Sequence, residues 1–268
     1  PHRRIAFSGE PPVSKLYQLE DVGLAYNGAQ VLAGLRTVLD RPQLVALAGP
    51  NGAGKSTLLA VMAGLRPHYA GQCLFQGRQV RQWPRREFAR LVCFVPQAVR
   101  VDFPFTAEQV VMMGRTPYCD GLFESPVDWE AVTSAMALTD TLPFRRRDFR
   151  SLSAGERQRV ILASVLAQSP AALLLDEPTT FLDLEHQVSI YRLLRELASK
   201  GMLVVAATHD LNLAAAYADR ILLLKGGRLL LDASPQEALA PEMLAAAFGI
   251  QAEILKTRVG KPWIAYGD

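Results

Sequence analysis

The chain has 268 residues, half of them hydrophobic, and a formal net charge of +3. That length supports one large domain, or one domain with a lobe inserted, around a sizeable buried core. So small a charge does not mark a nucleic-acid binder, the scattered cysteines Cys73, Cys93 and Cys119 have neither metal-ligand spacing nor the even framework of a disulfide scaffold, and no apolar run approaches the roughly 20 residues that cross a bilayer.

Residues 1–15 read as a loose lead-in: two arginines and a Pro-Pro pair, with no apolar signal core after them. The chain is therefore expected in the cytoplasm, reaching a membrane only through a partner. "KLYQLEDVGLAY" alternates enough for a strand, and "LVALAG" at 44–49 is a continuous apolar run meeting a Gly-rich turn, the pattern of a buried strand. "KSTLLAVMAGL" predicts a helix, and "LVCFVPQ" at 91–97 another short buried strand. Residues 98–169 change character towards helix and loop, with Thr106 and Gln109 placed for a capping box. Within that stretch Val110, Val111, Met112 and Met113 form an apolar face, readable either as lobe core or as a groove for a partner helix, with Arg115 expected to be exposed beside it. The basic run "FRRRD" at 144–148 reads as a solvated surface.

Strand signals then return in "AALLLDEP" and "MLVVAATHD", flanking the amphipathic "LEHQVSIYRLLRELASKG". "RILLLKGGRLLLD" reads as a hairpin turning at Gly226-Gly227, and "SPQEALAPEMLAAAFG" as a helix capped by Ser234 with Pro235 in its first turn. The whole predicts an α/β core with a helical subdomain inserted at about 98–169 and a C-terminal hairpin and helix at about 220–268; residues 16–268 form a single domain.

Chemistry concentrates at the strand ends. "GPNGAGKS" matches G-x-x-x-x-G-K-S/T, and a strand precedes it while a helix follows. Its glycines let backbone N–H groups turn towards phosphates, and the helix adds its positive end. Lys55 is placed for the β- and γ-phosphates and the Ser56 hydroxyl for Mg²⁺. An acid ending a buried strand needs a cation, which makes Asp176 the Mg²⁺ partner and leaves Glu177 to polarise an attacking water. His209 ends a parallel-type strand, where ligands collect in open α/β sheets, and Gln97 is similarly placed. His2, His68 and His186 suggest no partner and are read as solvated. "LSAGERQRV" at 152–160 has the grammar of a helix start, Ser153 as cap and Glu156 three residues later, and so makes a second anion-binding corner far from the first.

Five segments in this order, "GPNGAGKST", "VPQ", "LSAGERQRV", "LLLDEPTTFLD" and "ATHD", make the chain resemble an ATP-binding cassette (ABC) ATPase over about residues 16–240. The resemblance implies a P-loop NTPase core of the ABC ATPase type, α/β with an inserted helical subdomain and an antiparallel β part, and it implies roles by position. Tyr26 falls where the family stacks adenine. Gly49, Pro50, Asn51, Gly52, Ala53, Gly54, Lys55, Ser56 and Thr57 form the phosphate loop. Gln97 is the Q-loop glutamine near Mg²⁺ and water and the hinge of the helical lobe, and Asp176 is the metal's carboxylate. Glu177 is the catalytic carboxylate, Asp183 the D-loop aspartate and His209 the switch histidine. Ser153 and Gly155 belong to the signature, which in this family serves the P-loop of a second cassette packed head to tail. That explains two phosphate corners in one chain: a dimer with two composite ATP sites. Ala154 and Glu156 depart from the usual LSGGQ-like signature, and Phe181 departs from the small residue commoner in the D-loop.

The resemblance also implies integral-membrane permease subunits as partners, indirectly a substrate-binding protein, no nucleic acid, and a place on the cytoplasmic face of the inner membrane. "FPFTAEQVVMMGRTPY" and "EPTTFLDLEHQ" are similar to ATPases importing iron–siderophores, haem and cobalamin, and "GERQRV" is nearer the siderophore and cobalamin members. The alternatives are a zinc or manganese importer ATPase, another ABC transporter such as an exporter, and a soluble ABC ATPase acting on DNA or ribosomes. The last is disfavoured because the chain carries neither a second cassette nor a long coiled-coil insertion. A regulatory module without turnover is disfavoured by the presence of Lys55, Asp176, Glu177 and His209 together.

Overall fold

The structure is a computed structural model and describes residues 16–119, 121, 123–180 and 182–265; the lead-in and Phe181 lie outside them. Strands β1 (Tyr17–Tyr26) and β2 (Ala29–Leu39) pair antiparallel and are followed by β3 (Leu44–Ala48) and helix α1 (Lys55–Met62). Strand β4 (Ala70–Phe75) returns to β1, and β5 (Arg78–Gln79) completes a four-stranded antiparallel sheet in the order β2-β1-β4-β5. Helix α2 (Arg85–Leu91) leads into β6 (Val92–Val95). The chain then builds α3 (Ala107–Met112), α4 (Pro126–Leu138) and α5 (Ala154–Gln168), packed on one another, before re-entering the sheet as β7 (Ala172–Asp176). Helix α6 (Leu184–Ser199), β8 (Leu203–Ala207) and α7 (Leu211–Tyr217) follow, then the hairpin β9 (Arg220–Lys225) and β10 (Arg228–Ala233). Two short helices, α8 (Pro235–Ala238) and α9 (Pro241–Phe248), precede a terminal hairpin of β11 (Glu253–Lys256) and β12 (Pro262–Ala265).

The second sheet has the order β10-β9-β3-β8-β7-β6, parallel throughout except for β10 against β9. Of its inner strands, β3 and β8 are apolar at every position, and β7 and β9 are apolar except at their ends, because both faces are covered. Leu44, Ala46, Val204, Ala206, Leu173 and Leu175 face the core shared with the helices α3–α7, while Val45, Leu47, Leu203, Val205, Ala172 and Leu174 face the core under α1 and the antiparallel sheet.

Several local expectations hold as sequence chemistry requires. Thr106 and Gln109 close a capping box at α3, and Ser153 and Glu156 another at α5. Gly226 and Gly227 both adopt positive φ (54° and 75°), which a two-residue hairpin turn demands. The predicted C-terminal helix is two: Ser234 caps α8, but Pro241, which has no N–H to continue the ladder, starts α9.

Of the two readings of the apolar run at 110–113, core holds for three residues. Val110, Val111 and Met112 are buried in the core, and only Met113 of the four is exposed. Arg115, expected at the surface, is 8% exposed. Its Nε donates to Asp128 Oδ1 (2.8 Å), its Nη1 to the Ala167 carbonyl (2.8 Å), and its guanidinium lies 4.0 Å from the Tyr118 ring centroid. Asp128 also belongs to a capping box with Ser125, and the Ser125 hydroxyl together with Arg115 holds its carboxyl down to about 2. Arg115→Ala is expected to cost about 1–3 kcal/mol, the usual penalty for a buried partner left unmatched, read as a lower urea midpoint. An acid depressed in the folded state adds stability only above its unfolded value, about 4. The stability gap between wild type and Asp128→Asn is therefore expected to be full at neutral pH and to shrink as pH falls from about 4 towards 2.

Candidate active site

Parallel pairing gathers the site. In register, Val95 lies beside Leu175, Asp176 beside Ala207, and Leu47 beside Ala207. The chain leaves all four strands at one edge, so the loops carrying residues 49–54, Gln97, Glu177 and His209 meet there.

The loop after β3 is pressed against its neighbours. Gly49 and Gly54 have φ of 148° and 100°. A β-carbon on Gly49 would stand 2.2 Å from the Leu224 carbonyl oxygen, and one on Gly54 would stand 2.9 Å from that of Val31. Glycine is thus required by contact as well as by conformation. Gly54 offers α1 no side-chain cap, so the first N–H groups of that helix have no side-chain acceptor. Residues 51–57, Val31 and Glu177 line a cavity of about 360 Å³. Lys55 is buried, its Nζ donating to the carbonyls of Gly49 (2.8 Å) and Pro50 (3.1 Å). Burial pushes its ammonium below the ordinary lysine value, while Glu177 and Asp176 oppose that shift. The Ser56 hydroxyl donates to Asp176 Oδ1 at 3.0 Å. Burial at the end of β7 raises the Asp176 carboxyl, against the pull of Ser56 and Lys55.

Glu177 is the centre of convergence. It sits at φ 53°, an uncommon backbone state for a non-glycine residue, with its N–H on the Ala207 carbonyl (3.2 Å). Gln97 Nε2 donates to its Oε2 at 2.8 Å, Thr180 Oγ1 donates to the same oxygen at 3.2 Å, and His209 Nε2 pairs with Oε1. The structure thus brings together Lys55, Ser56, Gln97, Asp176, Glu177 and His209, with Thr180 as a member the sequence reading overlooked. Its signal was a hydroxyl three residues beyond the strand-end acid.

The signature residues stand apart from this cavity. Ser153 Oγ accepts from the Glu156 N–H (3.2 Å), and the Ser153 N–H donates to Glu156 Oε2 (2.8 Å). That backbone bond, ahead of Arg147 at 3.1 Å, holds the Glu156 carboxyl below the usual range. Ala154, with Gln97, Arg157 and Thr180, lines a separate cleft of about 400 Å³. Tyr26 ends β1, exposed, with Arg66 stacked at 5.9 Å from its ring centroid. Asp183 caps α6, accepting from the His186 N–H at 2.9 Å, and its Oδ1 also meets His186 Nδ1 at 2.6 Å. His186, read from sequence as solvated, is therefore partnered and only partly exposed.

A glycine-rich phosphate loop, a strand-end acid pair and a histidine on one parallel-sheet edge define a P-loop nucleoside triphosphatase. The sequence model of the family described as ABC transporter matches residues 32–180, more than half of the chain, and the chain belongs to that family. It is an ATP-binding, ATP-hydrolysing cassette. The chain is 45% identical over 227 residues to the Hemin import ATP-binding protein HmuV of Streptomyces coelicolor, covering 85% of this chain and 81% of that protein. It is 44% identical over 229 residues to the Cobalamin import ATP-binding protein BtuD of Halobacterium salinarum, covering 85% of this chain and 57% of that protein. Among solved structures it aligns with a metal-chelate type ABC transporter in an inward-facing conformation at TM-score 0.81 and 27% identity, covering 94% of this chain and 98% of the other. It aligns with a dimeric bacterial ABC transporter cassette at TM-score 0.72 and 25% identity, covering 82% and 98%.

Proposed function

We propose that the chain is the ATP-hydrolysing subunit of an importer for a metal chelate, namely haem, cobalamin or an iron–siderophore, and that it works as a head-to-tail homodimer beneath integral-membrane permease subunits. Hydrolysis in this reading is carried by one observation: Gln97, Thr180 and His209 converge on the Glu177 carboxylate beside Lys55 and Asp176. Glu177 accepts the proton of the attacking water, and His209 and Gln97 hold its two oxygens in place. Residues 49–57 and the start of α1 bind the phosphates, Lys55 neutralises the β- and γ-phosphates, and Tyr26 stacks on adenine. A hydroxyl and a carboxylate 3.0 Å apart, Ser56 and Asp176, are hard oxygen donors of the kind Mg²⁺ takes, and a cation there would offset the burial of Asp176. Gln97 lies on the same side. The ion, when bound, supplies charge neutralisation to the phosphates.

Ser153, Gly155 and Asp183 act on the nucleotide of the partner cassette. Residues 16–268 make one cassette, in which 98–169 form the helical subdomain that Gln97 hinges and 220–268 the C-terminal part. Closure around ATP moves that subdomain, and the permease with it, because ATP binds the closed dimer more tightly than the open one. The assembly sits on the cytoplasmic face of the inner membrane and receives cargo from a substrate-binding protein; nucleic acid has no part in it. The hemin and cobalamin import relatives reach 45% and 44% identity, so haem stands level with cobalamin as cargo despite the signature sequence. The test is ATP hydrolysis by the reconstituted transporter on adding binding protein loaded with haem, cobalamin or iron–siderophore in turn. One of these is expected to stimulate hydrolysis several-fold. Stimulation by zinc or manganese instead, or by none, would overturn the assignment.

A further inference from the structure

His186 belongs to none of the five segments that carry the ATPase resemblance except by adjacency, yet the signature helix rests on it. It occupies the first turn of α6, just after Asp183. Asp183 Oδ1 accepts from the His186 backbone N–H at 2.9 Å and meets ring Nδ1 at 2.6 Å. A carboxylate only accepts, so Nδ1 carries the proton of this contact and the ring is turned one way. Its opposite edge lies against Gly155. A β-carbon built on Gly155 would stand 2.1 Å from His186 Cδ2 and 2.5 Å from Nε2. The ring is pinned by Asp183 and is not a flexible side-chain end that swings aside.

Gly155 itself is a buried residue in the first turn of α5, outside the left-handed backbone region. Alanine is ordinarily the better helix former at such a position. Backbone conformation therefore does not call for glycine there, whereas the imidazole does.

We propose that His186 is a positioning residue: its ring, oriented by Asp183, seats Gly155 and joins the start of α6 to the signature end of α5 as one rigid unit within a chain. The proposal rests on the reading that Ser153, Gly155 and Asp183 serve the partner's nucleotide. A partner cassette then meets one preorganised surface and not two independent loops, and less ordering accompanies closure.

The test compares four full chains: wild type, Gly155→Ala, His186→Ala and the double variant. The readings are steady-state ATP hydrolysis, melting temperature, and affinity of the unassembled chain for a fluorescent ATP analogue. One extra methyl in a packed contact is disruptive, and Gly155→Ala is expected to lower kcat about tenfold or more. His186→Ala is expected to lower kcat several-fold while analogue affinity, which reports the chain's own phosphate loop, stays unchanged. The double variant is expected to return to the level of His186→Ala alone in melting temperature, the reading that Gly155's own role toward the partner's nucleotide does not touch. If Gly155→Ala does not fold, adding His186→Ala is expected to restore folded protein. A double variant that melts as low as Gly155→Ala, or one that stays unfolded, overturns the seat. Wild type that binds ATP without hydrolysing it would sink the proposed function instead, and the melting-temperature rescue would still decide the contact.

Discussion

Glu177→Gln is expected to lower steady-state ATP hydrolysis by about 10²–10⁴-fold, the usual cost of removing a general base, while ATP stays bound and two chains remain closed on it. The side chains differ by one atom in identity and hardly in shape, so packing is spared. What is lost is the second anionic oxygen and the ability to take a proton. Glu177 is held by Gln97 and Thr180 at one oxygen and by His209 at the other, a placement that has little use if the residue is only a surface acid at a strand end. The phosphate loop is untouched by the change: Lys55 keeps its bonds to Gly49 and Pro50, and Ser56 its bond to Asp176. Binding and turnover should therefore separate. Hydrolysis within a few-fold of wild type would remove Glu177 from this role.

The second large effect concerns which chain each phosphate corner serves. In a dimer with one copy altered at Lys55 and the other at Ser153, a trans arrangement places both defects in a single composite site. The other site then combines an intact phosphate loop with an intact signature. A cis arrangement damages both sites. Within one chain, residues 51–57 line their own cavity together with Glu177 and Val31, without any signature residue, as a trans arrangement requires. The signature helix start lines a different cleft. Such a heterodimer, prepared with two affinity tags, is expected to retain about half of wild-type nucleotide occlusion.

Much of this was legible in the chain because the strongest signals are local. A continuous apolar run meeting glycines gave β3 and the loop after it, and acids or histidine ending the runs of β7 and β8 gave Asp176, Glu177 and His209. The capping boxes at Thr106 and Ser153 need only two residues at fixed spacing. What was missed depends on contacts between distant segments. Strand β2 was overlooked because Leu32 and Leu35, both buried, are three residues apart; register shifts in its pairing with β1 break the period-2 pattern. Arg115 reads as a surface cation because nothing near it in sequence reveals Ala167 or the depth of the core, and its acid partner lies thirteen residues on. His186 carries no signal in the sequence because a lone histidine has no spacing pattern, and Gly155, its neighbour in space, lies in another segment. Thr180 needs the turn after β7 to bring its hydroxyl back to Glu177.

The central claim is that two copies of this cassette close on ATP to build composite sites, and the most direct measurement counts nucleotides trapped per dimer. In the Glu177→Gln background, the heterodimer altered at Lys55 in one copy and Ser153 in the other is given Mg²⁺ and radiolabelled ATP and passed rapidly through a desalting column. One ATP is expected to be retained per heterodimer, against two for the Glu177→Gln homodimer. No ATP retained by the heterodimer would show that each chain supplies its own phosphate loop and signature to the same site, and would contradict the account.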